Sequence, residues 1–203
     1  MSITVSSRFD IPQDIRDSVI APGYTDLEVG YKKLNEEGLY YACTYARFPY
    51  GKGEMINWWF GTWLHDDASY RLWSKDHVTF RWDDKKVPGT PVGATHISSE
   101  YLGDDLIEME IAFFDPADLF DVSKFGENNI SFVLVAENHS PNGDLLSTFL
   151  HVVRDTFYGC EMRNRFWMPN SSEQEARDLI FHNQGEMGSL AEFLPSLYLR
   201  FTQ

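Results

Sequence analysis

Ser172-Glu173-Gln174-Glu175-Ala176-Arg177-Asp178-Leu179-Ile180-Phe181-His182-Asn183 is the stretch on which the fold turns. Ser172 and Glu175 have the S-x-x-E spacing of a capping box, in which each side chain takes up a backbone N–H that the first helical turn leaves unpaired. Beyond it, Ala176, Leu179, Ile180, Asn183, Met187, Leu190, Ala191 and Leu194 recur at helical spacing. The reading is a helix over residues 173–194. Gly185 and Gly188 weaken its centre. Pro195 is expected to end or kink it, because proline lacks the N–H that the helical ladder needs.

Upstream the period falls to 2. Gly38–Phe48 is rich in β-formers and stops at Pro49, so it reads as a strand. Val78–Trp82, Val92–Leu102, Leu106–Phe114, Asn129–Ala136, Leu145–Thr156 and Met162–Trp167 are further strand candidates. Side chains alternate along a strand. His96, Ser98 and Glu100 therefore share one face, and so do Phe149, His151 and Val153. Ser140-Pro141-Asn142-Gly143-Asp144 has hairpin chemistry. Residues 54–65, with Trp59 and Trp63 four apart, suit a helix, and residues 8–30 read as a short helix or turn before an extended lead-in. Antiparallel strands followed by a long helix make the class α+β.

The 203 residues are read as a single domain with a short N-terminal region over 1–30. A 43% hydrophobic share can fill a sizeable core. The net charge of -14 argues against nucleic acid and anionic membrane surfaces, both of which need clustered Lys and Arg. Only Cys43 and Cys160 are present, without CxxC spacing, so neither a cysteine metal site nor a disulfide framework is expected. Met1–Asp14 lacks the pattern of a signal peptide, and no apolar run approaches the roughly 18 residues of a membrane span. The expectation is a cytoplasmic protein. Its 15% aromatic content suits either a ring-lined pocket or an ordinary core.

No two of the six histidines form HxxxH or HExxH. Any metal site must be assembled from distant elements, and each histidine taken singly reads as a satisfied core or surface residue. His151 stands out between Leu150 and Val152, because an imidazole buried there needs partners. His182 lies near the inward stripe of the helix, and His77 opens a strand after an aromatic segment. His65, followed by Asp66 and Asp67, looks solvated.

Four blocks in order resemble the 2,4-diacetylphloroglucinol hydrolases, a family that includes phloretin hydrolase. They are Asn57-Trp58-Trp59-Phe60 with Tyr70-Arg71-Leu72-Trp73 and Asp76-His77; Val92–His96 with Glu100–Gly103; His151–Thr156 with Gly159–Trp167; and His182 with Glu186-Met187 and Leu194–Tyr198. The resemblance implies a Bet v 1-like fold, in which a curved antiparallel sheet wraps a long C-terminal helix around a central cavity. It implies one zinc ion held by His77, His151, His182 and Glu100, with Glu108 as the competing glutamate. Glu186 is then either an acceptor that orients the His182 imidazole or solvated. The implied reaction is hydrolysis of the carbon–carbon bond between an acyl group and a phenolic, phloroglucinol-like ring or related β-diketone. It needs a Lewis acid, a proton donor and donors for the ring oxygens, with Tyr70, His139 and Tyr158 as candidates for the last two. Arg163 and Arg165 either anchor an anionic substrate group or, as favoured here, pair with acids.

The chain departs from the family in a shorter N-terminal region, which leaves a homodimer open. It also has Phe166 near the place where relatives are expected to offer a tyrosine. The partner implied is an aromatic or polyketide-like small molecule. A cyclase or pericyclase of secondary metabolism, or a small-molecule carrier, would reuse the same cavity. The aromatic residues before His77 are expected to line an enclosed space of at least about 300 Å³ beside the metal.

Overall fold

The computed structural model describes residue 9 and residues 11–202; residues 1–8 and 10, part of the stretch read for a signal peptide, lie outside the described residues. Among the described residues, eight strands form one antiparallel sheet: β1 (Gly30–Lys33), β2 (Tyr40–Pro49), β3 (His77–Trp82), β4 (Thr95–Leu102), β5 (Asp105–Phe114), β6 (Ile130–His139), β7 (Leu145–Thr156) and β8 (Gly159–Met168). The order across the sheet is β1-β2-β8-β7-β6-β5-β4-β3. Most neighbours are joined by hairpins. The Ser140–Asp144 turn closes through Ser140 N–H to the Asp144 carbonyl at 2.9 Å, and Gly143 supplies the positive φ of 89° that the turn requires.

The sheet curves around α4 (Glu173–Thr202), and its inner face meets that helix through Met187, Leu190 and Leu194, all fully buried. Truncating Leu190 to Ala would cost about 2–5 kcal/mol. The outer face is covered as well. Helix α1 (Gln13–Ile20) lays Val19 and Ile20 against Tyr41, Cys43, Val152 and Trp167. Covering both faces explains why β8 is buried along its whole length and why its sequence does not alternate cleanly.

The capping box forms as expected: Ser172 N–H and Oγ reach Glu175 Oε2 at 2.6 and 2.7 Å, and Glu175 N–H returns to Ser172 Oγ at 3.2 Å. Pro195 does not end the helix, which runs a further seven residues to Thr202. Aromatic packing holds this extension, with Tyr198 at 5.3 Å from Trp58 and Phe201 at 4.5 Å from Trp63. Besides three short 3-10 turns between Pro116 and Asn128, two elements escaped the sequence reading: the four-residue β1 and helix α3 (Asp67–Trp73). The second had a legible signal in Asp66, whose side chain accepts from Ser69 N–H as an N-cap. The 54–65 segment is a short helix, α2 (Gly53–Trp58), that widens into a π turn over Trp59–Trp63. No described helix is long and apolar enough to cross a membrane.

Candidate functional site

His77 opens β3 and lies directly opposite Glu100 of β4. His182 and Glu186 are four apart on α4, so they project from one face of the helix. The strand pair and the helix bring all four side chains together in the interior. His77 Nε2 is 3.5 Å from Glu100 Oε2 and 3.3 Å from Glu186 Oε2. His182 Nε2 is 3.4 Å from Glu100 Oε1 and 3.6 Å from Glu186 Oε2. His77, His182 and Glu186 offer ligand atoms that all lie within 4.8 Å of one another.

Tyr70 of α3 stacks on the His77 ring at 3.7 Å and donates its hydroxyl to Glu100. Burial, with the adjacent Glu100 carboxylate, pushes the Tyr70 phenol well above its ordinary range, so it remains a donor. His77 Nδ1 pairs with the Tyr70 carbonyl at 2.9 Å. The carbonyl can only accept, so an N–H sits on Nδ1 and Nε2 is the ring atom turned to the carboxylates. Trp73 Nε1–H donates to the Glu186 carbonyl at 2.9 Å and fixes the helix against this wall.

These residues fit a divalent metal. His77 Nε2 and both nitrogens of His182 are buried without a hydrogen-bond partner, although two carboxylates face them. Buried polar atoms are normally paired, and a gap ringed by two imidazole nitrogens and two carboxylates is a donor set zinc accepts. Without an ion, burial opposes charge on His182, but Glu100 and Glu186 outweigh it and push that imidazole up to about 9. Burial likewise opposes ionisation of Glu186, yet His182 and His77 hold its carboxyl far below the usual range.

Two expected positions change. His151 does not join the cluster. It sits on β7, with β6 and β5 between it and β4, and it lines the cavity among Phe60, Phe149 and Phe166. Burial pushes it down to about 4, against the opposing pull of Glu186 and a contact with Asn164. Glu186 takes the place in the cluster that His151 was expected to fill. Glu108 is exposed and lies away from the cluster; β4 pairs Ser99 with it, whereas Glu100 is buried and points inward.

Of the catalytic candidates, only Tyr70 reaches the cavity. His139 ends β6, pairs with Glu137 at 3.3 Å and lines an adjoining groove rather than the cavity, because alternation turns its neighbour Asn138 toward the cavity. Tyr158 lies in the β7–β8 turn, where its hydroxyl donates to Glu161. Arg163 and Arg165 pair with Glu28 at 3.2 and 2.5 Å on the outer side of β8, which matches the ion-pairing reading. His65 is solvated as expected, with a side chain 61% exposed.

The cavity opens beside the cluster, but it encloses about 70 Å³, below the roughly 300 Å³ expected of a ligand site. Phe60, Trp73, Phe149 and Phe166 fill much of the space. A groove of about 750 Å³ adjoins it and shares Asn138, Ser147 and Leu179 with its wall.

The family model described as the DAPG hydrolase PhiG domain matches residues 11–199. This chain belongs to that family. It is 25% identical to phloretin hydrolase of Eubacterium ramulus over 191 residues, covering 80% of this chain and 68% of that one. It is 23% identical to a 2,4-diacetylphloroglucinol hydrolase of a Pseudomonas species over 223 residues, covering 90% and 74%. Among solved structures, Ara h 8.0201 superposes with a TM-score of 0.53 at 8% identity over 78% of this chain and 99% of that one. The fold is the Bet v 1-like one, as expected for the DAPG hydrolase family.

Proposed function

We propose that this DAPG hydrolase family member is a zinc-dependent hydrolase that removes an acyl group from a phenolic ring by carbon–carbon bond cleavage. The observation that carries this reading is the buried set of His77, Glu100, His182 and Glu186, with imidazole nitrogens left unpaired beside the cavity. Those four residues would hold the ion, and the ion would supply a Lewis acid for the acyl carbonyl and lower the pKa of water.

The chain's own residues do the rest. The aryl ketone adds one water and gives the deacylated ring and a carboxylic acid. The ring carbon that bore the acyl group gains a proton, and the acyl carbon gains the water oxygen. His151, set in the cavity wall, is the titratable ring placed to carry that proton. Tyr70 holds Glu100 in place. Phe60, Phe149 and Phe166 present ring faces and exclude water. The 70 Å³ cavity requires one or more of these rings, or Leu179, to turn aside as substrate enters from the groove.

The test is direct. The zinc-loaded protein is incubated with 2,4-diacetylphloroglucinol, a monoacylphloroglucinol and phloretin, and products are separated by mass. Release of a carboxylic acid and the deacylated ring from at least one substrate is expected. Recovery of all three intact by a protein carrying stoichiometric zinc would contradict the reading.

A further inference from the structure

Thr44 of β2, Asn164 of β8 and His151 of β7 occupy one row across the sheet, since β8 pairs Asn164 with Thr44 on one side and with His151 on the other. All three face the interior and are buried. Asn183 of α4 stands over the row. Its Nδ2 donates to Glu186 Oε1 at 2.7 Å, the Thr44 hydroxyl donates to its Oδ1, and Asn164 Nδ2 donates to Thr44 Oγ1 at 2.8 Å.

The direction of every link follows from donor and acceptor counts. An ionised carboxylate only accepts, so Asn183 must present its NH2 to Glu186 and its carbonyl to Thr44. Thr44 then has to give its one proton to that carbonyl and accept from Asn164 through a lone pair. This turns the Asn164 carbonyl oxygen toward a donor. Asn164 Oδ1 and His151 Nδ1 are both buried without a well-formed hydrogen bond, on residues directly opposite each other; the Asn164 side chain and the Leu150 carbonyl are the acceptors within reach of the ring.

We propose that Asn164, Thr44 and Asn183 are positioning residues that join His151 to Glu186 through one directed hydrogen-bond chain. His151 Nδ1–H donates to Asn164, and each later link donates toward the carboxylate. The chain has two consequences. It fixes the His151 proton on Nδ1, which leaves the Nε2 lone pair for the cavity. It also divides the work of Glu186, with Oε1 in the chain and Oε2 facing His77 and His182. The negative end polarises each bond in turn and raises the basicity of Nε2. Substrate chemistry and the metal-ligand carboxylate are thereby coupled across the cavity without direct contact.

The kinetic arm of the test rests on the proposed role of His151; the tautomer arm does not. Nitrogen-15 spectra of histidine-labelled, zinc-loaded protein read the tautomer, with His151 assigned by signal loss in His151→Phe. The wild type is expected to carry the proton on Nδ1, and a proton on Nε2 would overturn the proposal. Thr44 touches neither the cavity nor the four-residue cluster. In Thr44→Val the His151 tautomers should mix and kcat should fall roughly tenfold, in the range seen when a supporting hydrogen bond is lost. KM should change less than twofold and zinc should stay at one per chain. Thr44→Ser, which keeps the hydroxyl, should restore both tautomer and kcat. An unchanged tautomer and unchanged kcat in Thr44→Val would show that the row serves packing alone. Should Thr44→Val fail to fold, the wild-type tautomer still decides the matter.

Discussion

Among the described residues, an ionic group on the outer side of the sheet and one on its inner side differ in how completely they are satisfied. On the outer side, Glu28 pairs with Arg163 and Arg165. Arg163 also donates to the carbonyls of Val19, Ala21 and Gly23, and Arg165 to those of Thr44 and Asn164. Only Arg165 Nε lacks a partner there. On the inner side, His77, His182, Glu100 and Glu186 face one another with imidazole nitrogens unpaired. The outer group is a finished strut that straps the N-terminal segment to β8. The inner group has the donor set of a site that could hold a metal ion. Arg163 and Arg165 are as buried as the inner four residues; what separates the two groups is that the guanidiniums are paired and the imidazole nitrogens are not.

Mutation can break this contrast. Glu186→Gln should abolish metal retention and lower activity by three orders of magnitude or more, while the fold survives. Circular dichroism and zinc analysis would check it, and metal retained at full stoichiometry would refute the assignment. Arg165→Leu should do the reverse. It leaves Glu28 without its closest partner and should lower stability by about 3 kcal/mol, typical of a broken buried pair, with zinc per folded chain unchanged. Urea melts and zinc analysis on the same sample separate the two effects.

Acid provides a second contrast. Burial pushes His151 down to about 4 and His96 down to about 3. A histidine held neutral in the fold binds its proton more readily when unfolded. Stability should therefore fall as pH drops from about 6.5, the unfolded value, toward 4, by a few kcal/mol in total. Urea midpoints across that window test the slope, and His151→Phe should reduce it by about half, His96 supplying the rest. A midpoint independent of pH between 6.5 and 4 would show that neither imidazole is held neutral. The smallest effect is expected at Tyr70→Phe, which removes the donor to Glu100 and should weaken zinc binding about tenfold. Competition with a chelator measures it.

The legible parts of the sequence were those governed by local periodicity. The capping box at Ser172, the alternation in Leu106–Phe114 and the turn at Gly143 each act over a few residues, and each element formed where it was read. Pro195 misled because Tyr198 and Phe201 pack onto tryptophans far off in the chain. The site was half legible. His77, Glu100 and His182 stand in motif blocks and meet in the structure. Glu186 was visible as the residue one turn beyond His182, yet which side chain completes the cluster depends on how far the sheet curves before β7 comes round. The same limit hid the Thr44–Asn164–His151 row, which exists only through strand register.

Zinc content across three proteins tests the central claim most directly. Mass-spectrometric metal analysis of wild type, Glu186→Gln and His151→Phe, each confirmed as folded, should find one zinc per chain in the wild type, none in Glu186→Gln and one in His151→Phe. Zinc kept by Glu186→Gln and lost from His151→Phe would contradict the account.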